Sequence, residues 1–419
     1  NCVPLSHNGP VWYVSTNGSD DTGDGSEEFP FHSIQNGIHY ATNGDTVYVL
    51  SGVYIENISF NGKNIMVAGE DRNTTIIDGN QAESVVEIDG GVDTSAVLKG
   101  FTLRNGLANE SSIHPSPFTG DGGGISIRNS SNPTIIDLII KDNEAGVGGG
   151  ISIKSESNPT ISNVVISNNF GFSGGGIFIQ SSSNGIIKDV TIVNNTSSNG
   201  AGAIQLEYNS FAEITNTTIA DNQSFSTINS IESSSAIIQN SIIWNQNSEQ
   251  ISTQPESIVE INYSNVMGGW PGVNNIDSDP LFCDSDTIDY TLAANSPCVA
   301  SGLNNLNMGA HPVGCDAVLA IENEILPFQY IVHQNYPNPF NPNTTIEYQL
   351  PVDEFVNISV YDMNGRVVKS LINSPQTAGY KSIQWNATND RNEQVSAGLY
   401  LFTIETKKFR DTKKMLFLK

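Results

Sequence analysis

Apolar and polar residues alternate in short runs along residues 122–199, and the alternation repeats three times. The copies read GGGISIRNSSNPTIIDLIIKDNEAGV, GGGISIKSESNPTISNVVISNNFGFS and GGGIFIQSSSNGIIKDVTIVNNTSSN. Ile125, Ile151 and Ile177 are 26 residues apart, as are Ile140, Ile166 and Ile192. A period of this size marks a stacked repeat, and alternation at period two marks strands. Ile125, Ile127, Ile135, Leu138 and Ile140 then point inward, while Ser126 and Arg128 point out. The runs are too short for helices. Each copy is predicted to be one coil of a parallel β-helix, its strands about 4.8 Å from their counterparts in the next coil.

Stacking places like residues on like. Asn143, Asn169, Asn195 and Asn222 form a structural column at one turn, where side-chain amides can hydrogen-bond along the stack. Asp137, Asn163, Asp189 and Asn216 form a second column. The glycine runs 122–124, 148–150 and 174–176 fall at the remaining turn, where positive φ and the missing Cβ allow a tight bend. Each buried Ile or Val contributes about 1.5–3 kcal/mol, so several per coil can hold a long stack together. Looser copies extend the pattern in both directions, and about nine coils can be counted between 46 and 267.

Before the coils, Ile34, Ile38 and Ala41 recur at helical spacing after Pro30, which suits a helix's first turn. A short helix here would cover the open first coil and protect its edge. This helix, the following GDTVYVLSGVYIE and the segment KNIMVAGEDRNTTIIDG (63–79) resemble the N-terminal part of the pectate-lyase-like right-handed β-helix superfamily. The resemblance implies the handedness, which the repeats alone do not give. Residues 277–315 carry Asp279-Pro280-Leu281-Phe282, Asp289-Tyr290-Thr291-Leu292 and Ser296-Pro297. They resemble the end segment of many secreted bacterial β-helices and are expected to close the last coil.

The tail changes character. NYPNPFNPNTTIEYQLP, VNISVYDMNGRVVKSL, GYKSIQWNATND, SAGLYLFTIE and KKMLFLK are strand-length runs broken by Gly, Asn and Pro, as in a small Ig-like β-sandwich. In order and extent they resemble the C-terminal sorting domain of type IX secretion. The resemblance implies passage through the periplasm, recognition by the outer-membrane machinery as partner, and a secreted or cell-surface destination. The expected division is an N-terminal segment with capping helix over 1–45, a right-handed parallel β-helix over 46–276, its closing segment over 277–315, a linker over 316–328 and the sandwich over 329–419.

Charge narrows the partners. The net charge is −26, and residues 1–329 carry −28 of it while 330–419 carry +2. Such a field repels nucleic acid and anionic lipid, and it repels polyuronates unless a cation bridges them. No run approaches the roughly 20 apolar residues of a membrane span, and no signal peptide begins the chain, so an exported protein would present this as its mature form. Of four cysteines, Cys283, Cys298 and Cys315 lie close enough in sequence for one local disulfide, and Cys2 lies far away. Three connectivities remain open.

Candidate chemistry is sparse. The signature motifs of polygalacturonase-like and pectin-methylesterase-like chains are absent. A β-elimination lyase needs a Lys or Arg to remove a proton beside a carboxylate, with calcium or other cationic groups to stabilise the charge. Arg104 and Lys141 on successive coils, with Asp121 beside the long turn 107–121, are the catalytic candidates. For carbohydrate binding the candidates are Arg128 and Lys154 in one outward column, with Phe172 and Trp244 as stacking surfaces. Asp20, Asp21 and Asp24 are the metal candidates, in an acidic loop suited to calcium but lacking EF-hand spacing. No cofactor is otherwise indicated. The expected function is a secreted passenger that binds extracellular polysaccharide or surfaces without catalysis. A calcium-dependent polyuronate lyase is the alternative, and a structural surface protein the second.

Overall fold

The computed structural model describes residues 7–108, 120–246, 248–317 and 330–418. Two compact units divide the chain, Asn1–Val318 and Leu319–Lys419. In the first, the repeat's short apolar runs become parallel strands stacked in register. Ile125 pairs with Ile151 and Ile151 with Ile177, and Ile140 pairs with Ile166 and Ile166 with Ile192. Three parallel sheets result, of sixteen, eight and four strands. The inward Ile, Val and Leu of all coils merge into one continuous core, nearly all of them without solvent exposure.

The longest path through the sixteen-stranded sheet holds ten strands, beginning with Val11–Val14. That strand pairs with Thr46–Val49, so the residues before the helix supply a coil that the repeat spacing does not reveal. The helix spans Ile34–Tyr40 and buries Ile34 and Ile38 against the stack. Its start differs from the expectation: Ser33 is the N-cap, accepting from the Asn36 amide, and Pro30 stays outside. Glu56 accepts from the Ile34 and Gln35 amides at 2.9 and 3.0 Å, tying the helix to the second coil.

The asparagine column is present and fully buried. Asn143, Asn169 and Asn195 each donate an amide hydrogen to the side-chain oxygen of the next Asn, at 3.0, 2.9 and 3.0 Å. Asn245 adds a rung beyond Asn222, accepting from the Asn222 backbone amide at 2.7 Å. Asp137, Asn163, Asp189 and Asn216 all take positive φ and pair as Asn163 to Asp137 and Asn216 to Asp189. Gly148 shows why the glycine runs are needed, since φ is +63° and a Cβ would lie 2.3 Å from the Ile151 oxygen.

At the end of the stack Ile276 donates to the Ser264 oxygen, and Trp270 packs against the core. The chain then runs back along the outer surface as a strap. Asn265 donates to the Ser278 oxygen, Gly309 to the Asn240 oxygen and Ala310 to the Thr218 hydroxyl, and His311 pairs with the Thr191 hydroxyl at 2.7 Å. Thr191, Thr218, Ile242 and Asn265 are register partners, so the strap crosses four coils. A disulfide joins Cys283 to Cys315, Cys298 is a buried free thiol, and Cys2 lies outside the described residues. The second unit is a sandwich of antiparallel sheets of three and four strands. Its core includes Trp385, Phe340, Phe402 and Phe417.

Candidate functional site

The eight-stranded sheet presents one outward column along its whole length. Register places Ser59, Glu87, Ser126, Ser152, Phe178, Gln205, Asn229 and Ser252 one above another. Beside it run Arg128, Lys154, Gln180 and Glu207, each one residue past an inward aliphatic. Ala108, Val147, Phe172 and Ser173 of the four-stranded sheet line hollows beside it, and we call this face the groove. Two hollows open on it. The first, about 330 Å³, has Ser59, Glu87 and Ser126 in its floor and Glu83, Asp121 and Arg128 around it. The second, about 580 Å³, has Phe178, Gln205, Asn229 and Ser252 in its floor, with Phe172 and Phe225 in its walls.

The groove's cations are occupied. Arg128 pairs with Glu87 and, at 3.1 Å, with Asp89, and it is held above the usual arginine value despite burial, by Asp89 and Glu87. Lys154 donates to Asp121 at 2.5 Å, with its ammonium 5.6 Å from the centre of the Phe178 ring. This ion pair links a residue of the first hollow to one of the second. Ser152, between them in the floor, is 1% exposed, and its hydroxyl has no hydrogen-bond partner. Deeper in the second hollow, Gln180 and Gln205 donate to the two oxygens of Glu207. Burial pushes the Glu207 carboxyl above the usual glutamate value, although Gln180 opposes the shift.

The structure separates the catalytic candidates. Arg104 and Lys141 are register partners on the sixteen-stranded sheet, but Arg104 is bound to Asp78 at 2.9 Å and Lys141 lies 3.7 Å from Asp142. Asp121 belongs to the groove with Lys154 and not to that pair. Asp121 bridges to Val147 at the end of a strand of the four-stranded sheet, and its carboxylate meets Lys154, the outward lysine just past a strand of the eight-stranded sheet. Of the long turn 107–121, residues 109–119 lie outside the described residues, as does His114. The repulsion between Arg128 and Lys154 is relieved by Glu87, Asp89 and Asp121, while Glu156 sits at a turn with φ of 62°.

Trp244 occupies the column of Arg104 and Lys141, as spacing implies, but it packs with Phe282 and Leu292 beneath the strap. It is half-buried and lines a separate hollow with Asp221, Asp279 and Phe282, away from Arg128, Lys154 and Phe172. Phe172 is half-buried in the groove wall. The metal candidates are engaged locally: Asp20 accepts from the His32 and Ser33 amides at 2.8 and 3.0 Å, and Asp24 accepts from Ser26. Burial works against the Asp20 charge, yet the Ser33 and His32 hydrogen bonds outweigh it and hold the carboxyl below its ordinary value. Among the described residues no three His, Cys, Asp or Glu side chains gather as a metal site.

Sequence reasoning missed Glu87, Gln205 and Phe225. Glu87 is 39 residues before its register partner Ser126, because the long turn intervenes, so counting by 26 does not reach it. Gln205 stands 27 residues after Phe178, one more than the repeat, and a bulge between Ala201 and Ile204 follows that shift.

Family comparison agrees with this architecture. A model described as "Right handed beta helix region" matches residues 23–196 and 149–289, and one described as "Secretion system C-terminal sorting domain" matches 334–418. Among curated proteins none matches. Solved structures give distant likenesses of low TM-score. Pectin methylesterase PemA from Erwinia chrysanthemi is 14% identical, with 67% of this chain and 95% of that chain covered and a TM-score of 0.32. The enzymatically active domain of tailspike protein 4 from bacteriophage CBA120 is 13% identical, covering 89% and 63%, with a TM-score of 0.34. Dimeric latent PorU from Porphyromonas gingivalis is 20% identical over 25% of this chain, which spans only 10% of that one, with a TM-score of 0.18. No described helix is long and apolar enough to cross a membrane. The chain belongs to the right-handed β-helix family, and its type IX sorting domain directs it to the secreted or cell-surface compartment.

Proposed function

We propose that the groove on the eight-stranded sheet binds an extracellular polysaccharide without catalysis. One observation carries the reading: a single register column supplies the floor of both hollows. A linear polymer repeats along its axis as the coils do, and the hollows offer it the hydroxyls of Ser59 and Ser252 and the amide of Asn229. Arg128, Lys154 and Phe172 are the binding candidates that lie there, and Asp121 joins them. Phe225, 78% exposed at the wall, presents a ring face suited to the apolar side of a sugar.

The lyase reading draws on the first hollow, where Glu83, Glu87 and Asp121 surround Arg128. The experiment incubates the full chain with a panel of soluble polysaccharides and measures both retention and unsaturated sugar products by ultraviolet absorption, with calcium and with chelator. Retention on at least one polymer, weakened in Phe172→Ala and unchanged in Lys141→Ala, is the expected outcome. Calcium-dependent unsaturated product would replace the binding reading with the lyase. No retention and no product would leave the structural role.

A further inference from the structure

We infer that the polymer this groove selects is an uncharged polysaccharide and not a polyuronate. The inference rests on the groove being the binding site. Its ground is the way the groove has disposed of its own charge. Glu83, Glu87, Asp121, Glu207 and Glu249 line the two hollows, against Arg128 and Lys154 alone. Both cations already hold carboxylates, Arg128 those of Glu87 and Asp89 and Lys154 that of Asp121.

A uronate approaching either cation would come to rest beside the carboxylates that the cation already holds, so their repulsion offsets the attraction it gains. No Lys or Arg follows Lys188 until Arg366, so the later coils offer nothing to offset it. Glu207 is already taken partly out of water and pushed toward its neutral form, and a neighbouring uronate would push it further.

An uncharged sugar meets none of these costs. Its hydroxyls both donate and accept, which matches carboxylate oxygens and the amide of Asn229 without changing any charge. Its apolar ring faces match Phe172 and Phe225.

The test is affinity electrophoresis of the full chain through gels containing arabinoxylan, mixed-linkage β-glucan, galactomannan, polygalacturonate or alginate. The expected result is retardation by at least one of the three uncharged polymers and by neither polyuronate, with the dissociation constant changing less than about twofold when salt is raised past the screening range. Phe225→Ala, at an exposed position outside the core, should weaken that retardation by about three- to tenfold. Neutralising two groove carboxylates together, Glu207→Gln with Glu249→Gln, should bring in measurable polyuronate retardation, and its continued absence would count against the charge argument. Retardation of the unaltered chain by polygalacturonate or alginate, sensitive to Phe225→Ala, would overturn the inference while leaving the groove as the site. Retardation by none of the five, or retardation indifferent to Phe225→Ala and Phe172→Ala, would overturn the groove itself.

Discussion

Two outward columns of the same stack begin alike and end differently. One runs Arg104, Lys141, Ser167, Val193, Ala220 and Trp244 along the sixteen-stranded sheet. The other runs Arg128, Lys154, Gln180 and Glu207 beside the groove of the eight-stranded sheet. Both open with stacked cations, and both carry polar or aromatic groups further along. The first is covered from Val193 onward, where Tyr290 and Phe282 of the strap bury Val193 and Ala220. The second stays open to solvent along its length. A solenoid makes every face periodic, so periodicity alone does not make a site. What the rest of the chain lays over each face decides which one can meet a ligand.

The largest effect should come from the element both columns depend on. In Asn169→Ala the Asn143 amide and the Ile140 carbonyl lose their partners, two buried orphans at roughly 2 kcal/mol each. Unfolding in urea should show about 4 kcal/mol of lost stability, with both faces lost together. A change confined to one face would mean that the coils are less coupled than the ladder implies.

Cys283→Ser acts on one column only. The loop it opens, with a sequence separation of 32 between the bonded cysteines, should cost about 3–4 kcal/mol. Proteolysis within 283–315 should become faster and uncover the apolar Val193 and Ala220, read as dye binding, while polysaccharide retention in the groove stays unchanged. Loss of retention would show that the strap supports both faces.

The smallest effect is a pH dependence of the strap. Burial holds the His311 imidazole below its ordinary value, with Asp289 opposing and Arg72 adding to the shift. The unfolded chain therefore binds the proton at a higher pH than the folded one. Stability is full above the unfolded value of about 6.5 and falls as pH is lowered through the folded value. His311→Asn should flatten this dependence of strap proteolysis on pH, and an unaltered slope would assign it to another group.

The coils were legible in the sequence because each position is repeated. Asn143, Asn169, Asn195 and Asn222 recur near the repeat spacing, and they stand in a buried ladder. Departures from the period hid the rest. Asp121 lies at the end of the longest turn, so its local sequence does not say which sheet it faces. The strap is not repeated, and its partners Thr191, Thr218 and Asp221 are between 69 and 120 residues away in the chain. Val11–Val14 joins the stack across an intervening helix, which interrupts the counting.

The ladder also makes length a discrete variable. Along Asn143, Asn169, Asn195 and Asn222 each side chain accepts from the coil before it and donates to the coil after it, so the same joint recurs across these coils. Duplicating one 26-residue unit, such as 148–173, would insert a complete rung with both connections satisfied and extend the groove by about 4.8 Å. A partial unit would shift Ile into Ser and break every column at once. Descendants of such a chain can thus gain or lose length only in whole steps, and the length of the exposed face is counted rather than tuned.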